Sequence, residues 1–417
     1  MNKFIIHHLS QTDAYKLSMA YVIYHLYRKY KTGWSFKFRN MKDHLAVMTP
    51  AKMQEWVEEI QKEINHLATL RWTEGEILFI SKKMPWLTLD GGLFLDWLRN
   101  FQVRAEDILV FIENGELRIE TDEKASWLQS TFYEIYLLVI VNETGFRLFY
   151  NYDELLESHK RNTDKKFEKL LSGEYVLGAI SEFGLRRELS EEAQEYVIKK
   201  FMAHRDELKE KGTNYVGTSN VYMSMKYGTT PIGTMAHEFI MGVGQGDPAK
   251  NPAYSNRFAM ESWTQIYGVL NGIFLTDTIT DKMCRMDMDF KFASSFKGVR
   301  NDSGDPIEWG ENWIKHYEKL GIDPKTKTLL FSNSLDFKRA DEIYRHFAGR
   351  INVAFGIGTY LSNDTFVNPF NIVMKMTTCN GHPVAKISDD AGKGMCKSEE
   401  FVNFLMKAID WKATHGY

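Results

Sequence analysis

The sequence predicts an irregular α/β barrel, preceded by an N-terminal α+β domain and followed by a C-terminal extension. Short apolar runs recur after about residue 137, and each run ends in polar or glycine residues. Helical patterns fill most of the gaps between these runs. Strands that alternate with helices form a parallel sheet, and eight such units close a (β/α)8 barrel. Because the gaps are uneven, an irregular or broken barrel fits as well as a regular one.

Three regions follow from this change of pattern. In the first region, the apolar spacing predicts a helix over 13–29, and alternation of apolar and polar residues predicts a strand over 34–38. A further helix is expected to begin at Pro50, since proline suits the first helical turn. The regions are the α+β domain (1–136), the barrel with the active site (137–370), and C-terminal strands and a helix (371–417) that pack on the α+β domain.

Eight strands are predicted for the barrel. Their ranges are 138–143, 176–184, 215–220, 232–238, 273–278, 298–305, 329–334 and 352–359. Helical patterns separate them at 151–171, 190–208, 253–269 and 336–347. The stretch 281–296 has no pattern that we can interpret and receives no role.

The composition excludes several functional classes. The 417 residues include 44% hydrophobic and 26% charged side chains, and the formal net charge is −3. This charge creates no basic field for a nucleic acid or an anionic membrane. No apolar run approaches the length of a membrane span, and residues 1–4 do not begin a signal peptide. Three cysteines without CxxC spacing argue against disulfides and zinc, so a reducing, cytoplasmic location is expected.

Polar side chains end every predicted strand. In a (β/α)8 barrel the active site lies at the C-terminal ends of the strands, and the last two loops often bind phosphate. We therefore expect these groups to converge: Glu143, Phe183, Arg186, Ser219, Asn220, His237, Asp277, Arg300, Asp302, Asp305, Ser332, Asn333, Ser334, Gly356, Gly358 and Thr359.

The last two loops are candidates for a phosphate site. The segment 355–359 follows an apolar strand, and Gly356 and Gly358 let backbone N–H groups approach phosphate oxygens. Thr359 adds a hydroxyl donor, and the preceding loop, with Ser332 and Asn333, is rich in small donors. A tight turn explains 355–359 alone equally well, but two successive donor-rich loops favour phosphate.

Two charged motifs have competing interpretations. Asp302 and Asp305 flank a glycine, and carboxylates bind Mg²⁺ or accept hydrogen bonds from ribose hydroxyls. Asp305 before a proline is equally typical of a helix N-cap, so both roles stay open. Arg186 follows Phe183, and a ring beside a guanidinium suits a flat aromatic anion. A solvated basic pair, Arg186 with Arg187, explains that local pattern better.

His237 is the predicted chemical centre. A single histidine after an apolar strand is usually a core or turn residue. Its position among small residues at a predicted strand end favours chemistry instead. Neutral imidazole can serve as a general base or a phosphoryl acceptor, and the residues alone leave both roles open. Glu238 is expected to be exposed on the next helix.

Together these motifs resemble the nicotinate phosphoribosyltransferase family. The resemblance covers nearly the whole chain in the right order, including 375–393, and rests on the ordered set rather than on one motif. The other motifs are 12–16, 182–187, 217–220, 233–238, 300–306, 331–336 and 355–359.

The resemblance implies a reaction in NAD salvage. Nicotinate and phosphoribosyl pyrophosphate give nicotinate mononucleotide and pyrophosphate, with Mg²⁺, and ATP hydrolysis places the enzyme in the ligase class. The resemblance implies that His237 becomes a phosphohistidine. It also implies a homodimer with shared sites, in which nicotinate stacks between Tyr15 of one chain and Phe183 of the other.

The resemblance assigns further roles residue by residue. Arg300 faces the pyridine carboxylate, Arg186 binds phosphate, and Gly358 with Thr359 holds the 5′-phosphate of the sugar. Asp302 would stabilise positive charge on the ribose as pyrophosphate departs. The metal ligands stay open: Mg²⁺ is held by the substrate alone, or also by Asp302 or Asp305. The remaining predicted substrate-binding residues are Ser219, Asn220, Ser332, Asn333 and Gly356.

In this interpretation, Ser219 indicates that the substrate is nicotinate and not nicotinamide. Related nicotinamide enzymes carry an aspartate at the matching position, which would repel the nicotinate carboxylate, whereas a serine hydroxyl can donate to it. Leu185, Glu188 and Asn301 depart from the family pattern, which puts the contacts around the named residues in doubt. The alternatives are a nicotinamide or quinolinate phosphoribosyltransferase, a barrel isomerase or aldolase acting on a sugar phosphate, and a non-catalytic barrel.

Overall fold

The computed structural model describes residues 4–389 and 396–415, so residues 390–393 of the predicted C-terminal motif and residues 1–3 lie outside the described residues. The strands are β1 (Thr32–Phe38), β2 (Ile108–Glu113), β3 (Glu116–Thr121), β4 (Gly178–Glu182), β5 (Thr213–Thr218), β6 (Ile273–Leu275), β7 (Gly298–Asn301), β8 (Thr328–Phe331), β9 (Asn352–Ile357), β10 (Ile372–Cys379) and β11 (His382–Pro383).

The α-helices are α1 (Ala14–Leu26), α2 (Pro50–Leu67), α3 (Glu74–Lys83), α4 (Leu93–Arg99), α5 (Trp127–Ser130), α6 (Tyr133–Phe149), α7 (Tyr152–Ser172), α8 (Glu191–Ala203), α9 (Arg205–Glu210), α10 (Val221–Tyr227), α11 (His237–Gln245), α12 (Ser255–Tyr267), α13 (Asp281–Asp287), α14 (Phe290–Ser295), α15 (Pro306–Lys319), α16 (Phe337–Phe347), α17 (Thr359–Ser362) and α18 (Glu399–His415). Short 3₁₀ helices lie at Met41–His44, Pro85–Thr88, Ala105–Asp107, Leu185–Arg187, Pro252–Tyr254 and Pro324–Thr326. Within the described ranges, no helix is both long and apolar enough to cross a membrane.

The antiparallel sheet joins the two ends of the chain. Its order is β11-β10-β1-β3-β2, and β10 pairs with β1 from Thr32↔Cys379 to Phe38↔Ile372. The predicted strand over 34–38 and the predicted start of a helix at Pro50 are confirmed. Because β10 lies next to β1, residues far apart in sequence share one face near the barrel.

The C-terminal helix packs elsewhere. We expected the strands and the helix of 371–417 to pack on the N-terminal domain. The strand β10 does so by pairing with β1, whereas α18 buries Leu405 and Ile409 against Ala253, Ile279 and Met283. The ammonium group of Lys412 lies 2.7 Å from a carboxylate oxygen of Asp287, and both side chains are buried. The stretch 281–296, which received no role from the sequence, therefore forms α13 and α14 and anchors this helix.

The parallel sheet has six strands in the order β5-β4-β9-β8-β7-β6. An extended segment, 229–236, lies between its two edge strands: the Ile232 amide donates to the Thr218 carbonyl of β5 at 3.0 Å. The Thr234 hydroxyl donates to the Ile273 carbonyl of β6 at 2.7 Å. The irregular α/β barrel is confirmed as a fold class, and the regular eight-stranded version is wrong.

Two predicted strands are helix or loop. Residues 138–143 lie inside α6, whose residues from Tyr133 to Phe146 are all buried, so no polar face marks it as a helix. The predicted domain boundary at 136/137 also falls inside this helix. Residues 232–236 are extended but form no strand, and α11 begins at His237.

Candidate functional site

His237 lies at the centre of a hydrogen-bonded cluster. Its Nδ1 is 2.9 Å from the hydroxyl of Thr278, and its Nε2 is 3.1 Å from a carboxylate oxygen of Asp302. The ammonium group of Lys386 lies 2.9 Å from the same Nε2 and 2.8 Å from Asp277. These partners come from the ends of β6 and β7 and from the segment after β11, so the predicted convergence of Asp277, Asp302 and His237 is found.

The contacts around Nε2 compete with one another. A neutral imidazole nitrogen either donates a proton or accepts one, so Nε2 cannot both donate to Asp302 and accept from Lys386. Burial lowers the pKa of His237, and the Lys386 charge lowers it further, while Asp277 and Asp302 oppose this shift. The resulting imidazole is neutral at pH 7, which is the form that has a lone pair available for a nucleophilic role.

Carboxylate oxygens line one side of His237. Burial raises the pKa of Asp302, but the hydrogen bond to His237 and the positive charge of Arg300 outweigh it, and the net shift is downward. The Ser332 hydroxyl donates to the other carboxylate oxygen of Asp302 at 3.2 Å. Asp277 Oδ1 is buried without a hydrogen-bond partner among the described residues. His237, Asp277 and Asp302 each offer one ligand atom within 4.8 Å of the others.

Phe183 and Arg186 follow β4, at the end of the parallel sheet where the strands before Asp277 and Asp302 also end. The ring of Phe183 follows β4, and a side chain at Gly356 would collide with that ring. Gly356, predicted to approach phosphate, therefore makes room for Phe183. Arg186 is half-exposed, and its guanidinium lies 3.4 Å from Glu134 and 4.0 Å from Asp13.

Ser219 has a different partner from the one predicted. Its hydroxyl donates to a carboxylate oxygen of Asp13 at 2.6 Å. Because a hydroxyl has one proton, Ser219 cannot at the same time donate to a nicotinate carboxylate. The predicted preference for the acid therefore cannot rest on Ser219.

The backbone at Tyr15 lies beside Ser219 and Gly233 of its own chain. The Ala14 amide donates to the Ser219 carbonyl at 2.8 Å, and a side chain at Gly233 would come within 2.9 Å of the Tyr15 amide. The Tyr15 hydroxyl is buried without a hydrogen-bond partner in the described part of the chain. Burial raises the pKa of Tyr15, and the nearby Arg186 charge opposes that shift. The site shared between two subunits, with Tyr15 supplied by the partner, stays a prediction.

Several predicted site residues have structural roles. The Asn220 side chain caps α10 and donates to Gln194 at 2.7 Å. Asp305 caps α15 and pairs with Arg339 at 3.2 Å, away from the His237 cluster. Glu143 pairs with Arg147 within α6. The N-cap interpretation of Asp305 is therefore confirmed, while substrate binding by Asp305 and Asn220 stays a prediction.

The two predicted phosphate loops follow β8 and β9. Ser332 and Asn333 follow β8, Gly358 precedes the short helix α17, and Thr359 begins that helix. All four are partly exposed, as binding residues must be. Arg300, the last residue but one of β7, has a buried Nε–H without a hydrogen-bond partner among the described residues.

A buried ion cluster supports the helix that begins at His237. The Lys16 ammonium group, fully buried, lies 2.7 Å from Glu134 and 2.7 Å from Glu238. Glu238 also accepts a hydrogen bond from the hydroxyl of Thr131. The expectation that Glu238 is exposed is wrong, because its carboxylate compensates a buried cation.

Comparison with known proteins gives the family. The nicotinate phosphoribosyltransferase family model matches residues 179–412, and the model of the N-terminal domain of that family matches residues 11–142. The chain belongs to the nicotinate phosphoribosyltransferase family. The two matches together cover both the antiparallel sheet and the barrel, so the family includes the whole architecture described above.

Relatives and solved structures agree with this family. The nicotinate phosphoribosyltransferase of Photorhabdus laumondii is 38% identical over 97% of this chain and 96% of its own length. That of Escherichia coli O127:H6 is 37% identical with the same coverage. A structure from Porphyromonas gingivalis has a TM-score of 0.85 at 31% identity, covering 97% of this chain and 100% of that chain. One from Vibrio cholerae has a TM-score of 0.86 at 31% identity, covering 98% and 95%.

Sequence reasoning missed part of the site in this family member. Lys386 stands in a motif that carried the family resemblance, but no role was inferred for it. Arg39 and Lys375, from the antiparallel sheet, and Arg187 also face the site. Burial lowers the pKa of Lys375 to about 7, and the charges of Arg39 and Lys386 add to this. Burial likewise lowers the pKa of Arg187 to about 10, with Arg186 and Arg39 contributing. Their sequence separation left no signal for this cation cluster.

We expect Lys16→Met to destabilise the protein by about 3–5 kcal/mol, because two buried carboxylates lose their cation. Burial raises the pKa of Glu238 to about 7 even beside Lys16, and without Lys16 this carboxyl and Glu134 both lose a charge that lowers their pKa values. A carboxyl whose folded pKa is raised loses stability as pH rises, so the loss grows from pH 6 to 8. Urea unfolding at both pH values measures this. Lys62→Met is the control, since Lys62 pairs with Glu59 at 3.3 Å but is 45% exposed. An equal effect of the two substitutions would contradict the role of Lys16.

Proposed function

We propose that the protein is an ATP-coupled nicotinate phosphoribosyltransferase, which makes nicotinate mononucleotide and pyrophosphate from nicotinate and phosphoribosyl pyrophosphate in NAD salvage. The observation that carries the proposal is a neutral histidine between carboxylates and a lysine, beside a cluster of arginines. Family membership supports the substrates, and the geometry supports the roles below.

His237 accepts the γ-phosphoryl group of ATP in this proposal. A ring nitrogen attacks the phosphorus, the bond to the β-phosphate oxygen breaks, and ADP leaves. Lys386, 2.9 Å from Nε2, supplies positive charge for the transferred group. Water then cleaves the phosphohistidine to inorganic phosphate. The low pKa of His237 supports this role, because a protonated ring would have no free lone pair.

The pyrophosphate of the sugar substrate lies among the cations. Arg39, Arg187 and Lys375 concentrate positive charge, and their mutual repulsion falls when an anion binds between them. The oxygens of Asp277 and Asp302 suit Mg²⁺, since this ion prefers carboxylate ligands and both groups lie beside the same cluster. Mg²⁺ bound there would neutralise charge on the leaving pyrophosphate.

The glycosyl transfer uses both the His237 cluster and the aromatic residues of the site. The pyridine nitrogen of nicotinate forms a bond to the anomeric carbon while the bond from that carbon to the pyrophosphate oxygen breaks. Asp302 stabilises the positive charge that develops on the ribose. Phe183 provides a flat apolar surface for the pyridine ring, and Tyr15 of the partner subunit completes the pocket.

Arg300 selects the acid. Its unpartnered Nε–H is a buried donor, and a buried donor without a partner costs free energy until an acceptor binds. A nicotinate carboxylate supplies both the acceptor and the opposite charge. Arg186 adds positive charge at the same end of the barrel.

A second substrate, nicotinamide, is favoured by one observation. Asp13 accepts a hydrogen bond from Ser219, and burial raises the pKa of Asp13. A carboxylate at this position could accept a hydrogen bond from an amide. Product formation from nicotinate, nicotinamide and quinolinate, each with phosphoribosyl pyrophosphate and with or without ATP, tests the proposal. A nicotinamide preference would replace it, and absence of pyrophosphate would favour a sugar-phosphate isomerase or aldolase.

We expect His237→Asn to abolish acid-labile labelling from γ-labelled ATP and ATP stimulation, while slow ATP-independent turnover remains. Asparagine preserves a polar side chain but has no nucleophilic nitrogen. His382→Asn, at an exposed histidine, is the control and should label like the wild type. Labelling that survives in His237→Asn would refute the phosphoryl-acceptor role.

We expect Arg300→Ala to raise the Michaelis constant for nicotinate by about 10- to 100-fold, the equivalent of a lost charged hydrogen bond of roughly 1.5–3 kcal/mol. The constant for phosphoribosyl pyrophosphate should change much less, because the lost donor faces the pyridine carboxylate. Steady-state kinetics with each substrate varied in turn measures both. Equal increases would show that Arg300 acts on the sugar substrate or on folding.

We expect some activity to return when inactive Tyr15→Ala and His237→Ala chains are mixed. In a homodimer with shared sites, Tyr15 of one chain completes the site of the other, so exchange of subunits creates one intact site. Differently tagged chains verify that exchange occurs. No recovery after verified exchange would contradict the shared sites.

A further inference from the structure

Glu182 is a buried carboxylate at the end of β4, directly before Phe183. It accepts hydrogen bonds from the Gly184 amide, from the Gln194 side-chain amide at 2.8 Å and from the Thr218 hydroxyl at 2.6 Å. No ion-pair partner of Glu182 occurs in residues 4–389 and 396–415. Neither the family resemblance nor the proposed chemistry gives it a role.

The direction of these hydrogen bonds is determined by backbone donors. The Tyr222 and Met223 amides can only donate, so they face the side-chain oxygen of Asn220. The Asn220 NH₂ group therefore donates to the Gln194 oxygen at 2.7 Å. Gln194 must then present its own NH₂ group to Glu182.

Each carboxylate oxygen of Glu182 therefore accepts a hydrogen bond from a group that can only donate. The Gly184 amide has only a proton to offer at one oxygen, and Gln194 is oriented by Asn220 at the other. Only the Thr218 hydroxyl could rotate and accept a hydrogen bond instead of donating one. A carboxylate satisfies this arrangement, whereas a neutral amide would place one donor against another. Burial raises the pKa of Glu182 to about 7, and the hydrogen bonds from Thr218 and Gly184 oppose this rise.

The same carboxylate joins the segments that carry the pyridine pocket. Gly184 belongs to the turn between Phe183 and Arg186, and a side chain there would come within 2.5 Å of Glu182. Thr218 precedes Ser219, whose amide donates to the Glu182 carbonyl at 2.9 Å. Ser219 in turn contacts the residues before Tyr15, and the Phe183 turn and the Ser219 segment meet at Glu182.

We propose that Glu182 is a positioning residue for the pyridine substrate, which holds the Phe183 turn and the Ser219 segment in register through a chain of one-way hydrogen bonds to Gln194 and Asn220. This inference rests on the proposed function, since it assumes that a pyridine ring binds against Phe183.

Exchanging the side chains at positions 182 and 194 tests the direction of this series of hydrogen bonds. Glu182→Gln places an NH₂ group against the NH₂ group of Gln194, and Gln194→Glu places two carboxylates together. In the double variant, the amide introduced at position 182 would donate to the carboxylate introduced at position 194. That carboxylate would still accept from Asn220, so the side-chain amides at positions 182 and 220 both have an acceptor, and the Thr218 hydroxyl rotates to accept from the new amide. Glu195→Gln on the same helix is the control, because Glu195 pairs with Lys226 at the surface side.

We expect Glu182→Gln to raise the Michaelis constant for nicotinate at least about tenfold, the effect of one unsatisfied buried group. The constant for phosphoribosyl pyrophosphate and kcat should stay close to wild type. The double variant should recover most of the nicotinate constant, and Glu195→Gln should not change it. Thermal unfolding without substrates shows which variants fold.

Each outcome decides the inference. A Glu182→Gln variant with an unchanged nicotinate constant, or a double variant no better than the single ones, would overturn it. If Glu182→Gln does not fold, the double variant must fold and bind nicotinate, and its failure would overturn the inference too. Wild-type protein that forms no nicotinate mononucleotide would overturn the proposed function itself, which distinguishes the two failures.

Discussion

The ammonium group of Lys16 is the buried charge on which the arrangement of the site depends. It lies 2.7 Å from Glu134 of α6 and 2.7 Å from Glu238 of α11. A buried charge without partners costs several kcal/mol, so the three helices must pack together around it. α1 begins beside Tyr15 and α11 begins at His237, and the same ion cluster therefore sets the distance between Tyr15 and the histidine.

Both signs of charge meet at His237. Lys386 lies 2.9 Å from Nε2 and 2.8 Å from Asp277, and Asp302 lies 3.1 Å from the same nitrogen. Burial and the charge of Lys386 lower the pKa of His237, and burial with the charges of Arg39 and Lys386 lowers that of Lys375 to about 7. This concentration of positive charge would attract an anion such as pyrophosphate.

Local pattern predicted the elements with one polar face and failed where both faces are buried. The strands and helices after residue 176 follow apolar runs and helical spacing, and most were expected. Residues 138–143 were interpreted as a strand because α6 is surrounded by protein and shows no helical periodicity. Residues 232–236 are extended like a strand, but they only bridge β5 and β6 before α11 begins, which no local signal reveals.

The residues of the candidate site also divide into those whose place the sequence predicted and those whose place depends on the folded structure. The sequence by itself determined the family, the strand ends that carry Asp277, Arg300 and Asp302, and the central place of His237, because these residues stand in motifs within single loops. Only the tertiary structure decided that Ser219 donates to Asp13, that Asp305 caps a helix and that Lys386 approaches His237. Such contacts join segments separated by up to 206 residues, and hydrogen-bond direction and burial, which select among possible partners, exist only after the chain has folded.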